Sequence, residues 1–256
     1  MKLARFLNEQ GQPGFGEVDD GSILELQGSM FGESERSGKV LSLEAVSLLP
    51  PVRPGKIVCI GSNYRRHIEE MNRPVPTEPK LFLKPPSTVI GPGTHIEIPT
   101  TSDRVEHEAE LAVVVGRTLR HCDPASVLDG VLGYTCVNDV TARDLQKRDG
   151  VFTRAKGFDT FCPMGPWITT ALDSRDLLIR SWVNDELRQD GRTSEMIFGV
   201  AELLSFISGI MTLFPGDLVS TGTPAGVGPL REGDRVRVQV EDIGDLENPV
   251  RNSSRE

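Results

Sequence analysis

Val105-Glu-His-Glu-Ala-Glu-Leu-Ala-Val-Val-Val115 is the stretch on which the fold turns. Acidic residues lead straight into an apolar, β-branched run, and a run of that composition reads as a buried strand. If the whole segment is one strand, its side chains alternate between two faces. Glu106, Glu108 and Glu110 then share a face, and His107 takes the other. Three carboxylates on one face repel each other, and a bound divalent cation, which prefers oxygen ligands, removes that penalty. A solvated acidic strand edge, which blunts aggregation, is the competing reading of the same residues.

Working outward, Gly133-Tyr-Thr-Cys-Val-Asn-Asp-Val-Thr-Ala-Arg-Asp-Leu-Gln146 holds a second apolar strand that ends at Asn138-Asp139, with a helix expected over Thr141–Arg148. Asp139 is either a ligand emerging at a strand end or the cap of that helix. Upstream, Lys56–Ile60 reads as a short buried strand and Ser62–Met71 as a helix. His67 and Glu70 are three apart and share a helical face. A carboxylate beside an imidazole orients it and raises its basicity, as a general base requires; an incidental pair on a surface helix has the same spacing. Lys156, in Arg154-Ala-Lys-Gly-Phe158, is placed to hold a substrate carboxylate or an oxyanion, or is an ordinary surface lysine. Ser220-Thr-Gly-Thr-Pro-Ala-Gly-Val-Gly228 is either an anion-binding nest of backbone amides with the Thr223 hydroxyl or a plain glycine-rich turn.

The rest of the chain is rich in short strands. Leu3–Leu7, Gly16–Val18, Ile23–Leu26, Lys80–Lys84, Leu111–Val115, Val131–Val137, Pro166–Thr170, Leu178–Val183, Asp217–Ser220 and Arg235–Val240 are expected as strands. Asp123–Leu128 and Val200–Thr212 are the other expected helices. Seven prolines between Pro74 and Pro99 exclude regular helix there. Three prolines in Leu48–Gly55 mark a stiff connector. We therefore expect a β-rich module over residues 1–50 leading into a main domain over 51–256, in a β-rich α+β fold with long loops carrying the chemistry.

The 256 residues hold 28 Lys and Arg against 37 Asp and Glu, a net charge of −9, which disfavours a nucleic-acid partner. No stretch has the length of a membrane span, and residues 1–17 do not read as a signal peptide. Cys59, Cys122, Cys136 and Cys162 form no CxxC pair and are expected to be reduced, buried thiols of a cytoplasmic protein. There is no dinucleotide fingerprint, phosphate loop, GxSxG elbow or HExxH helix.

Taken together, KIVCIGSNYRRHIEEM, KLFLKPPSTVIGPG, the HEAEL segment, GYTCVNDVTARDLQ, AKGFDTFCPMGPW, NDELRQDGRTSEMIF and PGDLVSTGTPAGVGP resemble, in order, the fumarylacetoacetate hydrolase superfamily from about Gly55 to Val240. The resemblance implies a mixed β-roll with the active site at one mouth. It implies Mg²⁺ or Mn²⁺, with Ca²⁺ also accepted, held by Glu108, Glu110 and Asp139, which leaves Glu106 as a neighbour. It places His67 and Glu70 on a lid, expected over Ser62–Thr77, where the pair activates water. Lys156 matches the family lysine near the metal; Arg143, Gln146 and Thr223 match positions lining the substrate site, with Lys156 and Arg143 supplying positive charge.

The first 50 residues resemble the short N-terminal module of bacterial members, which act on small 2-oxo acids. The implied function is hydrolysis of a C–C bond in an acylpyruvate- or fumarylpyruvate-like 2-oxo acid through an enolate. The alternative is isomerisation of unsaturated 2-oxo dioates from aromatic catabolism, or decarboxylation of these or of oxaloacetate. A small-molecule partner and a homodimer are implied by the same analogy. A non-catalytic oligomer that keeps the metal for structure is the reading from another class.

Overall fold

The structure is a computed structural model and describes residues 1–72 and 74–254. Arg73, within the expected lid, and the last two positions of the expected main domain lie outside the described residues.

The strand Ala109–Val115 lies inside a twelve-stranded mixed sheet, antiparallel to Val131–Asn138 on one side and Leu218–Ser220 on the other. Every one of its residues is buried. Leu111, Val113 and Val115 pack with Leu203, Leu204 and Ile207, while Ala112 and Val114 pack with Ile57, Met164 and Ile168. Both faces are covered, so the segment shows an apolar run rather than alternation. Each Leu or Val buried in this way contributes roughly 1.5–3 kcal/mol. The helix Val200–Ile210 supplies the cover on one side through Val200, Leu203, Leu204 and Ile207, the spacing of a single helical stripe.

The acidic stretch is not one strand, and here the expectation is corrected. Val105–His107 pairs with Thr141–Ala142 and Gly228–Pro229 in a separate three-stranded sheet. The ladder breaks at Glu108, where two side-chain amides replace strand partners. Asn138 Oδ1 accepts the Glu108 N–H at 3.0 Å, and Gln189 Oε1 accepts the Ala109 N–H at 2.9 Å. A solvated edge is excluded, because Glu108 and Glu110 are 4% and 1% exposed.

Strand Ile57–Gly61 joins Leu218–Ser220 in parallel and Lys80–Lys84 in antiparallel fashion at one end of the large sheet. At the other end, Lys2–Leu7 pairs with Cys162–Thr169, so strands from residues 1–50 extend the same sheet. A five-stranded sheet containing Leu178–Val183, Glu186–Arg192 and Arg235–Val240 adds Ile179, Val238 and Val240 to the core around Leu111.

Other departures are local. Ser34–Ser42, Glu186–Arg192 and Gly244–Asn252 are strands too polar to read from pattern. The helix expected at Asp123–Leu128 is an Asx turn, with Asp123 Oδ1 accepting the Ala125 N–H, followed by a 3₁₀ turn over Val127–Gly130. Cys59, Cys136 and Cys162 are buried thiols, whereas Cys122 is only half-buried. No helix among the described residues is long and apolar enough to cross a membrane.

Candidate active site

Glu108, at the ladder break, and Glu110, in the following strand, meet Asp139 just beyond the paired strand Val131–Asn138. One carboxylate oxygen from each lies within 4.8 Å of the others, and all three residues are buried. The Asp139 N–H donates to the Glu108 carbonyl at 2.9 Å, which locks the two strand ends together. Asp139 does not cap the next helix. That helix, Arg143–Asp149, starts four residues later from Ala142, and the Asp139 carboxylate takes the ammonium groups of Lys84 at 2.6 Å and of Lys156.

Lys156 departs from its expected role as a group free to hold substrate. Its Nζ bridges Asp139 and Glu108, 2.8 Å from Glu108 Oε2, and lies 4.9 Å from the Phe82 ring centroid. Clustered carboxylates draw the nearest cation, and Lys156 is buried beside them. Burial alone would lower its pKa, but the Asp139 and Glu108 charges raise it above the ordinary lysine value.

Lys84 was not singled out from sequence. It is 1% exposed and also donates to the Val140 carbonyl at 3.1 Å. The only sequence signal is its position at the end of the alternating KLFLK strand, on the same face as Phe82.

Glu106 is more than a neighbour. Arg143 Nε donates to it at 2.7 Å, and the exposed Arg104 donates to its other oxygen at 2.5 Å. Arg143 also donates to Gln146 Oε1 at 2.6 Å and to Glu108. Its guanidinium is therefore committed to protein partners, which corrects its expected role as spare positive charge. Four buried carboxylates (Glu106, Glu108, Glu110, Asp139) face three buried cations (Lys84, Arg143, Lys156), with the exposed Arg104 as the second partner of Glu106. Glu108 is pushed up by burial but pulled below the ordinary carboxylate range by Lys156 and Arg143. Glu110 is raised to about 8 by burial and by the charges of Asp139 and Glu108. Three buried carboxylates whose oxygens converge within 4.8 Å are the donor set a hard divalent cation prefers.

The helix Arg65–Glu70 brings His67 to this cluster. Asn63 anchors its start. The Asn63 amide donates to the carbonyls of Phe198 at 3.1 Å and Thr221 at 2.8 Å and accepts the Phe198 N–H at 2.9 Å. Gly222 is required beside it, with φ +94°, because a Cβ there would lie 2.8 Å from Asn63 Cβ. His67 is 7% exposed, not a surface residue, and its Nδ1 lies 3.1 Å from Glu70 Oε2. His67, Glu108, Glu110, Arg143, Gln146, Lys156 and Thr223 line one small cavity of ≈ 30 Å³. That is room for an ion or a water rather than an organic acid. Glu70 and Asp139 stand behind it, against His67 and Lys156.

The expected nest over Ser220–Gly228 is already filled by the protein's own acids. Ser220 Oγ and the Gly222 N–H donate to Glu110 at 2.5 and 2.9 Å, and the Gly226 N–H donates to Glu70 at 3.1 Å. Thr223 donates its hydroxyl proton to the Ala109 carbonyl at 2.8 Å, so it has none left for an anion.

Residues 56–251 match the family model described as fumarylacetoacetate (FAA) hydrolase C-terminal, and residues 1–51 match Rv2993c-like, N-terminal. Protein Rv2993c of Mycobacterium tuberculosis is 48% identical over 238 residues, covering 92% of this chain and 90% of the relative. Human mitochondrial oxaloacetate tautomerase FAHD2A is 41% identical over 224 residues, covering 82% of this chain and 71% of the relative. The fold superposes on 2-hydroxyhepta-2,4-diene-1,7-dioate isomerase from Mycobacterium marinum with a TM-score of 0.93 and 42% identity, covering 100% of both chains. Maleylpyruvate hydrolase from Sphingobium sp. SYK-6, solved with manganese(II) and pyruvate, gives 0.84 at 31% identity, covering 99% of this chain and 100% of that one. By its whole-length match, its β-rich mixed fold and the order of its motifs, the chain belongs to the fumarylacetoacetate hydrolase family.

Proposed function

We propose that the chain is a divalent-metal-dependent enzyme that hydrolyses a C–C bond in a small acylpyruvate- or fumarylpyruvate-like 2-oxo acid. The observation that carries this reading is His67, which lines the same cavity as Glu108, Glu110 and Lys156 and is backed by Glu70 at 3.1 Å. Glu108, Glu110 and Asp139 would hold the cation, Mg²⁺ or Mn²⁺. When bound, it acts as a Lewis acid that lowers the cost of negative charge on a 2-oxo oxygen. The manganese and pyruvate in the hydrolase relative support both halves of that assignment.

The residues then divide the work. Glu70 accepts from His67 Nδ1–H, which leaves Nε2 as the basic nitrogen. His67 takes a proton from water, and the water attacks the distal carbonyl of the substrate. The C–C bond breaks to give a carboxylic acid and the enol of the remaining 2-oxo acid. Lys156, which lines the cavity and is held by Glu108 and Asp139, would be the ammonium nearest a bound anionic substrate. Arg143, held by Glu106, supports Glu108 and orients Gln146. The helix Arg65–Glu70, which carries His67, has to move to admit a substrate, because the cavity of ≈ 30 Å³ has no room for one.

The second reading is isomerisation, tautomerisation or decarboxylation, in which the same enol forms without attack by water. The isomerase relative, which matches at 42% identity over the whole chain, favours it. Cleavage of acetylpyruvate, measured with Mg²⁺ and with Mn²⁺ beside enol–keto conversion and decarboxylation of oxaloacetate, separates the readings. Absence of acetylpyruvate cleavage sinks the hydrolase reading. Calorimetry with oxalate, an enolate mimic, tests for an enzyme of either kind: binding that needs metal supports one, and no binding leaves the structural-metal reading.

A further inference from the structure

Gln189 is fully buried on Glu186–Arg192, in a different sheet from the carboxylate cluster, and the roles assigned above leave it unused. Its Oε1 accepts the Ala109 N–H at 2.9 Å and the Ser181 hydroxyl at 3.0 Å, and faces His107 Nδ1 at 3.2 Å. Its Nε2 donates to Thr223 Oγ1 at 2.7 Å and to the Pro224 carbonyl at 2.8 Å. A backbone N–H on one end and a backbone carbonyl on the other fix which end is oxygen and which is nitrogen.

The Thr223 hydroxyl is fixed in turn. It donates to the Ala109 carbonyl at 2.8 Å and accepts from Gln189. One lone pair remains, and Thr223 lines the cavity. That oxygen can accept from a hydroxyl or a water but cannot donate to an anion.

The same amide pins the loop over residues 221–228. A Cβ at Gly226, whose φ is +101°, would lie 2.1 Å from the Arg188 carbonyl oxygen, so the loop rests directly on the backbone of the strand carrying Gln189. Along this loop the Gly222 N–H binds Glu110 and the Gly226 N–H binds Glu70. A single loop therefore spans from the carboxylate cluster to the His67–Glu70 pair, and Gln189 ties it to Ala109, between Glu108 and Glu110.

We propose that Gln189 is a positioning residue that sets the spacing between the carboxylate cluster and the His67–Glu70 pair, and that presents Thr223 as an acceptor for a donor such as an enol hydroxyl. The proposal deepens the functional reading above and rests on it.

Gln189→Met keeps length and burial but removes both ends of the amide; Thr223→Val keeps shape and removes the hydroxyl. Each is expected to lower kcat/KM by about tenfold, the value of one buried hydrogen bond. The double variant is expected to match Gln189→Met alone, since both act through one contact. The acid limb of the pH–rate profile shifts in Gln189→Met, because Glu70 loses its fixed place beside His67. Activity within about twofold of wild type with an unmoved profile, or losses that multiply in the double variant, overturns the proposal. Should Gln189→Met not fold, Thr223→Val decides alone: about tenfold loss supports it, and about twofold or less overturns it. Wild-type protein that turns over no 2-oxo acid with either metal refutes the functional reading instead. Amide exchange at 221–228 in Gln189→Met then judges the positioning: about tenfold faster exchange supports it and unchanged exchange overturns it.

Discussion

Lys84→Met should destabilise the metal-free protein by about 3 kcal/mol. The Lys84 side chain has no exposed surface, and its ammonium lies 2.6 Å from Asp139 Oδ1 and 3.1 Å from the Val140 carbonyl. Methionine keeps the unbranched stem, so packing changes little and the lost charge dominates. Removing one partner of a buried pair costs about 3–5 kcal/mol, because the other charge stays buried without compensation. Lys156 still touches Asp139, which places the loss at the lower end. In a chain of this length each kcal/mol moves the melting midpoint by about 2–4 °C, so a fall of roughly 6–12 °C is expected. Urea unfolding in chelator, followed by circular dichroism, gives the free energy directly. Lys84→Met combined with Asp139→Asn should lose less than the two single losses together, by at least about 1 kcal/mol, since the double variant strands no charge. Mn²⁺ should restore part of the stability of the single variant and little of the double. A loss under about 1 kcal/mol, or strictly additive losses, would refute the buried-pair reasoning.

Glu108→Gln, Glu110→Gln and Asp139→Asn should each weaken Mn²⁺ binding by at least about 100-fold in calorimetry, since each removes a charged oxygen donor; affinity held within a few-fold would mean the cluster is not the metal site. Glu110 is raised from 4.5 to about 8 in the folded, metal-free protein. The fold therefore binds a proton that the unfolded chain releases, and this stabilisation is full below pH 4.5 and lost as pH rises through about 8. Unfolding titrations in chelator between these limits should show that decline, and Glu110→Gln should flatten it; an identical slope in the variant counts against the shift. His67→Ala should cut acetylpyruvate cleavage by about 10²–10⁴-fold while sparing decarboxylation of oxaloacetate; equal loss of both would show that His67 does not act on the attacking water.

Local pattern marked the candidate residues without deciding their roles; the ordered resemblance of the motifs is what selected Glu108, Glu110 and Asp139 and gave His67 and Glu70 a part. Glu108 and Glu110 precede a β-branched run, Asp139 ends an apolar strand, and His67 and Glu70 share one helical face. What sequence did not reveal depends on distant side chains. The break at Glu108 is made by Asn138, 30 residues from Glu108, and Gln189, 80 residues from Ala109. No periodicity within Val105–Val115 reports them. Lys84 ends a short strand that reads equally well with a solvated lysine, and its burial follows only from the position of Asp139. Gln189 lies in a strand so polar that no apolar alternation marks it. Arg143 looked like spare charge because its partner Glu106 is read, from spacing alone, as one of three equivalent acids.

The parallel pairing of Ile57–Gly61 with Leu218–Ser220 has a consequence for biosynthesis. Lys56 and Asp217, 161 positions apart, flank that pairing and bond to each other. His67 belongs to the early partner of this clasp, while the Gly222 and Gly226 amides that hold Glu110 and Glu70 follow the late one. A ribosome must therefore deliver the chain through Gly226 before the pocket closes, and contacts of such long range are slow to form. A nascent chain stalled before residue 218 carries Glu108, Glu110 and Asp139 at strands that pair directly with each other, but lacks the amides that hold Glu110 and Glu70.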